Sequence, residues 1–175
     1  KAKPGSINFA SASTSQLVST EMFAGMAGIE LTNVPYKSGP AAMTDLIGGV
    51  VQMFSADFAV MLPQVKAGKI TALAVTSRKR SRLAPDVPTT AEAGFKDLES
   101  EVLYVVMAPG STPEPLMQTM AKAITDALGR PELQTRLNDL DMAYEGLTGS
   151  AAAQRLKKLS DQYGRVIRAT GMKVD

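Results

Sequence analysis

The sequence contains no cysteine, no histidine and no tryptophan. Without cysteine there is neither a disulfide framework nor a thiol nucleophile. Without histidine, every histidine-based catalytic triad and every Cys/His zinc site is excluded. Charge of one sign is equally scarce: 19 Lys and Arg against 17 Asp and Glu leave a formal charge of +2, too small an imbalance to mark a nucleic-acid footprint. The longest apolar runs, such as residues 103–109, fall far short of the roughly 20 residues that a membrane span needs, and residues 1–13 lack the apolar core of an export signal. What is present is ordinary. A chain of 175 residues that is 45% hydrophobic and 21% charged, with 14 Gly and 10 Pro, is neither disordered nor collagen-like nor a coiled coil. Its length allows one domain, or one domain and part of another.

Strand-like and helix-like stretches alternate through the first half. Residues 7–10, 29–36, 50–54 and 70–75 are rich in β-branched or aromatic side chains and are bounded by Gly, Ser or Pro. Between them, Val18, Met22 and Met26 recur at helical spacing over 14–27, with Gly28 placed as a stop. Pro40 opens a second helix that ends at Gly48-Gly49, and a third spans about 58–67, with Pro63 implying a kink or a late start. This alternation implies a parallel sheet flanked by helices. Residues 76–101 read as surface connection with a short helical piece near 90–93. A fifth, nearly all-apolar strand is expected at 102–107, as where both faces are buried. Helices at about 113–128, 131–140 and 150–169, with Gly171 after the last, and a short strand near 142–144 complete the reading. Residues 1–6 read like the end of a helix and a turn, which implies a piece of chain upstream.

In an open α/β sheet, ligands bind where the carboxyl ends of strands lead into helix N-termini. Four loops here have that position. Ser11-Ala12-Ser13-Thr14-Ser15 can hold a carboxylate or phosphate with hydroxyls and backbone N–H groups, or supply an ordinary cap and a solvated turn. Pro35-Tyr36-Lys37-Ser38-Gly39-Pro40 offers an amphipathic ring, a cation and small residues. At Phe54-Ser55-Ala56-Asp57, the Asp57 carboxylate can orient an amine or hydroxyl, though capping the next helix is its more common role. Thr76-Ser77 is the weakest of the four. Arg78, Lys79, Arg80 and Arg82 lack the interleaved aromatics of a nucleic-acid surface and read as a solvated loop. Glu99 and Glu101 have no third group to support a paired-carboxylate reading. No glycine-rich phosphate loop, cofactor motif or metal-ligand cluster is present, so no cofactor or metal is expected.

Taken in order, these segments resemble the extracytoplasmic substrate-binding receptors of the tripartite tricarboxylate transporters, the Bug or TctC family. The resemblance is carried by Lys3-Pro4-Gly5 with Asn8-Phe9-Ala10-Ser11-Ala12, Val34-Pro35-Tyr36-Lys37 with Gly39-Pro40-Ala41, and Asp45-Leu46-Ile47-Gly48-Gly49. It continues through Leu62-Pro63-Gln64-Val65-Lys66-Ala67-Gly68-Lys69, Ala72-Leu73-Ala74-Val75-Thr76-Ser77, Pro85-Asp86-Val87-Pro88-Thr89, Ala91-Glu92-Ala93-Gly94 and Ala108-Pro109 with Thr112-Pro113. It implies an α/β fold of the periplasmic-binding-protein-like type II kind, truncated at the N-terminus. Residues 1–101 would form lobe two, while 102–175 would be a return segment and the C-terminal helices of lobe one. The implied protein is not an enzyme. It is a periplasmic receptor that captures a small carboxylate, such as a mono- or dicarboxylate or an acidic amino acid, for membrane permease subunits, and it has no nucleic-acid partner. The alternative is a structural or regulatory module that has lost its ligand. The resemblance points to Ser11, Ser13, Thr14 and Ser15 as ligand contacts, followed by Ser38 and Gly39. Tyr36, Ala56, Asp57 and Tyr104 complete the candidate set. The first loop departs from the family pattern: it is shorter, Ser13 stands where Gly is usual and Leu17 where His is usual. At the third loop, Ala56-Asp57 replaces the common Asp-Asn. Apolar surface left by the missing half implies self-association.

Overall fold

A computed structural model describes residues 4–170 of the chain, the side chain of Thr170 excepted. The described residues fall into two compact units, one running up to Glu101 and resumed from Ser160, the other spanning Val102–Leu159.

The first unit is built on three short parallel strands, β1 (Asn8–Ser11), β2 (Thr32–Pro35) and β3 (Met53–Phe54), in the order β2-β1-β3. β1 is central and nearly sealed, with Phe9 and Ala10 fully buried and Ser11 almost so. Its residues pair in register with β2, from Asn8 opposite Thr32 to Ser11 opposite Pro35. Pro35 has no N–H to donate, and an edge strand is where a sheet tolerates that. Ala10 packs with Ala42 and Val51, joined by half-buried Val34, Tyr36, Leu46 and Phe54. By strand alternation, Phe9 points to the opposite face.

Three helices follow the three strands. α1 (Thr14–Ala27) starts at Ser13, whose hydroxyl accepts from the Gln16 N–H at 3.4 Å, while the Gln16 side-chain Oε1 accepts from the Ala12 N–H at 2.8 Å. The first bond satisfies one of the donors that a helix start leaves free, and the second holds the N–H just ahead of the cap. Its other end closes in a Schellman turn, with Gly28 at φ 60° and the Ile29 N–H bonded to the Ala24 carbonyl at 3.0 Å. α2 (Gly39–Ile47) has Pro40 in its first turn. α3 (Phe58–Lys66) runs through Pro63 and starts at Phe58, so the late start does not occur. On α1, Val18 and Met22 form a second buried cluster with Leu98, against which Phe23, Phe95, Tyr163, Val166 and Ile167 pack. Phe23 meets Phe95 edge to face at 5.2 Å.

Several expected elements are absent. Residues 29–31 and 50–52 lie outside the ladders. Residues 70–75 form no strand. Only Val75 makes a parallel bridge, to Thr89, through bonds with the Pro88 carbonyl and the Thr90 N–H, and Leu73 is 75% exposed. The 90–93 piece is a turn closed by the Ala93 N–H on the Thr89 carbonyl.

The second unit holds α4 (Glu114–Leu128), α5 (Pro131–Asp139) and the first part of α6 (Gly149–Thr170), whose residues from Ser160 on belong to the first unit. The expected buried strand at 102–107 is not formed: the segment joins no ladder, and Tyr104, Val106 and Met107 are more than 70% exposed. Its composition suits a sheet interior, but among the described residues no strand lies beside it. The 142–144 strand is likewise missing: these residues join no ladder, and the Met142 N–H closes the end of α5 on the Leu137 carbonyl. Lys3 and Gly171 lie outside the described residues.

Candidate functional site

Because all three strands are parallel, their carboxyl ends share one edge of the sheet, and α1, α2 and α3 each begin there. The loops containing Ser11, Ser13, Thr14 and Ser15, then Tyr36, Ser38 and Gly39, then Ala56 and Asp57, are therefore neighbours at one end of the first unit. The register fixes this directly: Ser11 pairs with Pro35, the next N–H, of Tyr36, bonds the Ser11 carbonyl at 2.7 Å, and Ala10 pairs with Phe54. Tyr104 is carried by the other unit, outside this group.

The candidates differ in how freely they can meet a ligand. The Ser11 hydroxyl donates to Asn33 Oδ1 at 2.7 Å and is buried, so it shapes the loop from below. Ser13 and Thr14 are exposed, and Ser13 and Ser15 exchange a hydroxyl contact at 3.1 Å. Ser38 is the N-cap of α2, exposed, with its side chain making no cap bond, and Gly39 leaves the backbone open behind it. The Tyr36 ring packs on the sheet, and its hydroxyl donates to Asp45 Oδ2 at 2.7 Å. That bond to a carboxylate, with some burial, raises the phenol above its ordinary value. The donor expected for a ligand is therefore engaged within the protein. Asp45 opens the Asp45-Leu46-Ile47-Gly48-Gly49 segment, but no spacing links it to Tyr36, which lies nine residues before it. Ser55 donates to Ser19 Oγ at 3.3 Å, tying the third loop to α1.

Asp57 corrects the sequence reading in a different way. It occupies the N-cap of α3, yet its side chain makes no capping hydrogen bond and is exposed. None of α1, α2 and α3 has an acidic residue in its first turn, whereas α4 and α5 carry Glu114 and Glu132 there. A helix N-terminus carries a partial positive charge that a nearby anion stabilises. At α4 and α5 the chain supplies that anion itself, and at the sheet edge it leaves the ends of α1 and α2 without one.

The basic segment after Thr76 is held inside the protein's own electrostatics. Arg78 pairs with Glu99 at 2.6 Å, and Arg80 with Glu92 at 2.9 Å. The Thr89 N–H also bonds Glu92 at 2.7 Å, and with Arg80 it pulls the Glu92 carboxyl down to about 2. Among the described residues there is no cluster of acidic or other ligating groups that would hold a metal, and no helix is long and apolar enough to cross a membrane.

Comparison with known proteins agrees with this architecture. The chain is 33% identical to the protein BugT of Bordetella pertussis, across 99% of this chain and 54% of BugT. It superposes on an R. palustris protein solved with adipate at a TM-score of 0.85 and 26% identity, covering 97% of this chain and 57% of that one. It superposes on MatC from Rhodopseudomonas palustris, solved with bound malate, at a TM-score of 0.71 and 25% identity, covering 92% and 56%. The fold is thus the α/β fold of periplasmic binding proteins, and the chain spans about half the length of each of these three relatives. The model of the tripartite tricarboxylate transporter family receptors matches residues 1–172, and the chain belongs to that family.

Proposed function

We propose that this chain is the ligand-gripping part of a periplasmic receptor that captures a small carboxylate and presents it to the permease subunits of a tripartite tricarboxylate transporter. The observation that carries the reading is the sheet edge, where α1 and α2 begin with hydroxyl and glycine residues, exposed N-caps and no acid in the first turn. Backbone N–H groups and the hydroxyls of Ser13, Thr14, Ser15 and Ser38 bind carboxylate oxygens there, with Gly39 allowing close approach and Ala56 flanking the site. Ser11 and Tyr36 position these loops. The site captures and does not react: the chain has no histidine or cysteine, and no step of bond making is assigned to it. The adipate and malate of the two neighbours support a carboxylate as the ligand class.

In this reading residues 1–101 form one lobe. Residues 102–175 return to the other lobe, whose remainder corresponds to the additional length of the relatives. Chains that lack that length associate through the exposed apolar run at 102–107. The test is a thermal-shift screen with mono-, di- and tricarboxylates, on this chain and on one extended to the relatives' full length. A ligand at a hundredfold excess over Kd adds about 2.7 kcal/mol. Stabilisation by a carboxylate in either chain supports the receptor. Silence in both moves the assignment to a module that has lost its ligand.

A further inference from the structure

The loop between β2 and α2 lacks the ordinary device that fixes a helix start. Ser38 is the N-cap of α2, yet its side chain makes no capping bond. Two other bonds hold the loop where it leaves the sheet. The Tyr36 N–H donates to the Ser11 carbonyl at 2.7 Å, and the Tyr36 hydroxyl donates to Asp45 Oδ2 at 2.7 Å. The second bond bridges Lys37 and Ser38, because it joins the residue before them to the body of the helix after them.

Asp45 is placed for this by its own helix. It stands three residues after Ala42, which is fully buried against Ala10 and Val51, so both lie on the side of α2 that faces the sheet. The Asp45 backbone carbonyl accepts from the Val50 N–H at 2.9 Å and from the Val51 N–H at 3.4 Å, so the turn after α2 pins the same residue. The Tyr36 ring packs on that cluster, which limits where its hydroxyl can reach. A hydrogen bond to a carboxylate is about twice as strong as one between neutral groups. The raised phenol is the electrostatic mark of that bond.

Resting on the carboxylate-receptor reading, we infer that Asp45 is a positioning residue: through the Tyr36 hydroxyl it holds Lys37, Ser38 and Gly39 in the conformation that meets a ligand. The brace replaces the cap. A capping side chain would spend the Ser38 hydroxyl on the N–H groups of α2. Holding the loop from Asp45 instead leaves that hydroxyl and the first N–H groups of α2 for the ligand. Asp45 acts only through Tyr36, since it lies about 9 Å along α2 from Gly39 at 1.5 Å per residue.

The test compares the native chain with Tyr36→Phe, which keeps the ring in its cluster, with Asp45→Asn and with the double variant. Each is titrated calorimetrically with adipate and with malate, the ligands of the two neighbours. Tyr36→Phe should weaken binding by roughly tenfold, the scale of a hydrogen bond to a charged group. Asp45→Asn should weaken it by less, because an amide oxygen still accepts, and should weaken it no further once Tyr36→Phe is present. NMR relaxation of the Lys37, Ser38 and Gly39 amides without ligand gives a second reading: their order should fall in both single variants. Two changes that act independently on affinity, or variants that bind as tightly as the native chain, overturn the inference and leave the receptor intact. If the native chain binds neither acid, the receptor reading falls and the relaxation decides the brace: lower order in the variants supports it, and unchanged order overturns it.

Discussion

The two units of this chain treat their apolar side chains in opposite ways. Every buried residue among those described lies in the first unit, from Phe9 to Leu98, and α4 and α5 of the second bury none. The first unit encloses its apolar groups because β1 is flanked on both edges and helices cover its faces. In the second, α4 and α5 touch each other, and the most sheet-like run of the sequence, residues 102–107, lies open. The lesson is that an apolar pattern states what a segment can bury, and only a neighbour decides whether it does so.

The comparison is broken most directly by truncating one large side chain in each unit. Phe9→Ala removes a fully buried ring from the central strand and should cost about 3–5 kcal/mol in urea unfolding. Leu116→Ala, at a side chain half exposed on α4, should cost less than about 1 kcal/mol. If Leu116→Ala is as damaging as Phe9→Ala, the second unit has a core in solution that this structure lacks.

The next largest effect concerns the open run. Replacing Tyr104 and Val106 together by Lys introduces two like charges into a surface that is otherwise apolar. It should weaken self-association by roughly tenfold or more, as read by light scattering across a concentration series. A native chain that is monomeric at high concentration would sink the proposed association itself.

Much of the first unit was legible in the sequence, and the reasons are local. Ser13 and Gly28 bracket α1 because each end of a helix needs a particular kind of residue, and both were readable from position alone. The parallel sheet followed from the alternation of periods, and so did the placement of three loops at one edge. Residues 70–75 and 102–107 failed for the opposite reason: β-branched composition was present, but strand pairing depends on a partner far along the chain or outside it. At the site, sequence named the loops but could not assign the side chains. The Tyr36 bond to Asp45 and the missing cap bond of Asp57 depend on tertiary geometry, and no spacing rule announces either.

A smaller effect sharpens the account of the first loop. Gln16→Ala removes the acceptor that holds the Ala12 N–H ahead of α1, the reciprocal half of the cap. It should lower stability by about 1 kcal/mol. If α1 orders the loop proposed to bind a carboxylate, carboxylate affinity should fall with it. Unchanged affinity would separate the cap from the site.

The smallest effect belongs to the exposed ion pair that pins the basic segment. Glu92 is held at about 2 by Arg80 and the Thr89 N–H, below its ordinary value near 4.5. A depressed carboxylate contributes stability that is fully present above the unfolded value and is lost as pH falls through the window from about 4.5 to 2. Glu21 works against it, since burial raises its carboxyl, so protonating that group on acidification favours the fold. The native melting curve alone therefore mixes two signs. The difference between the native chain and Glu92→Gln isolates the first: the advantage of the native chain should shrink as pH drops across that window, and added salt should reduce it at neutral pH because both partners are about half exposed. An advantage that is independent of pH would mean that Glu92 acts by packing and by its neutral hydrogen bonds to Thr89, and that the charge on Arg80 contributes nothing measurable to holding the segment in place.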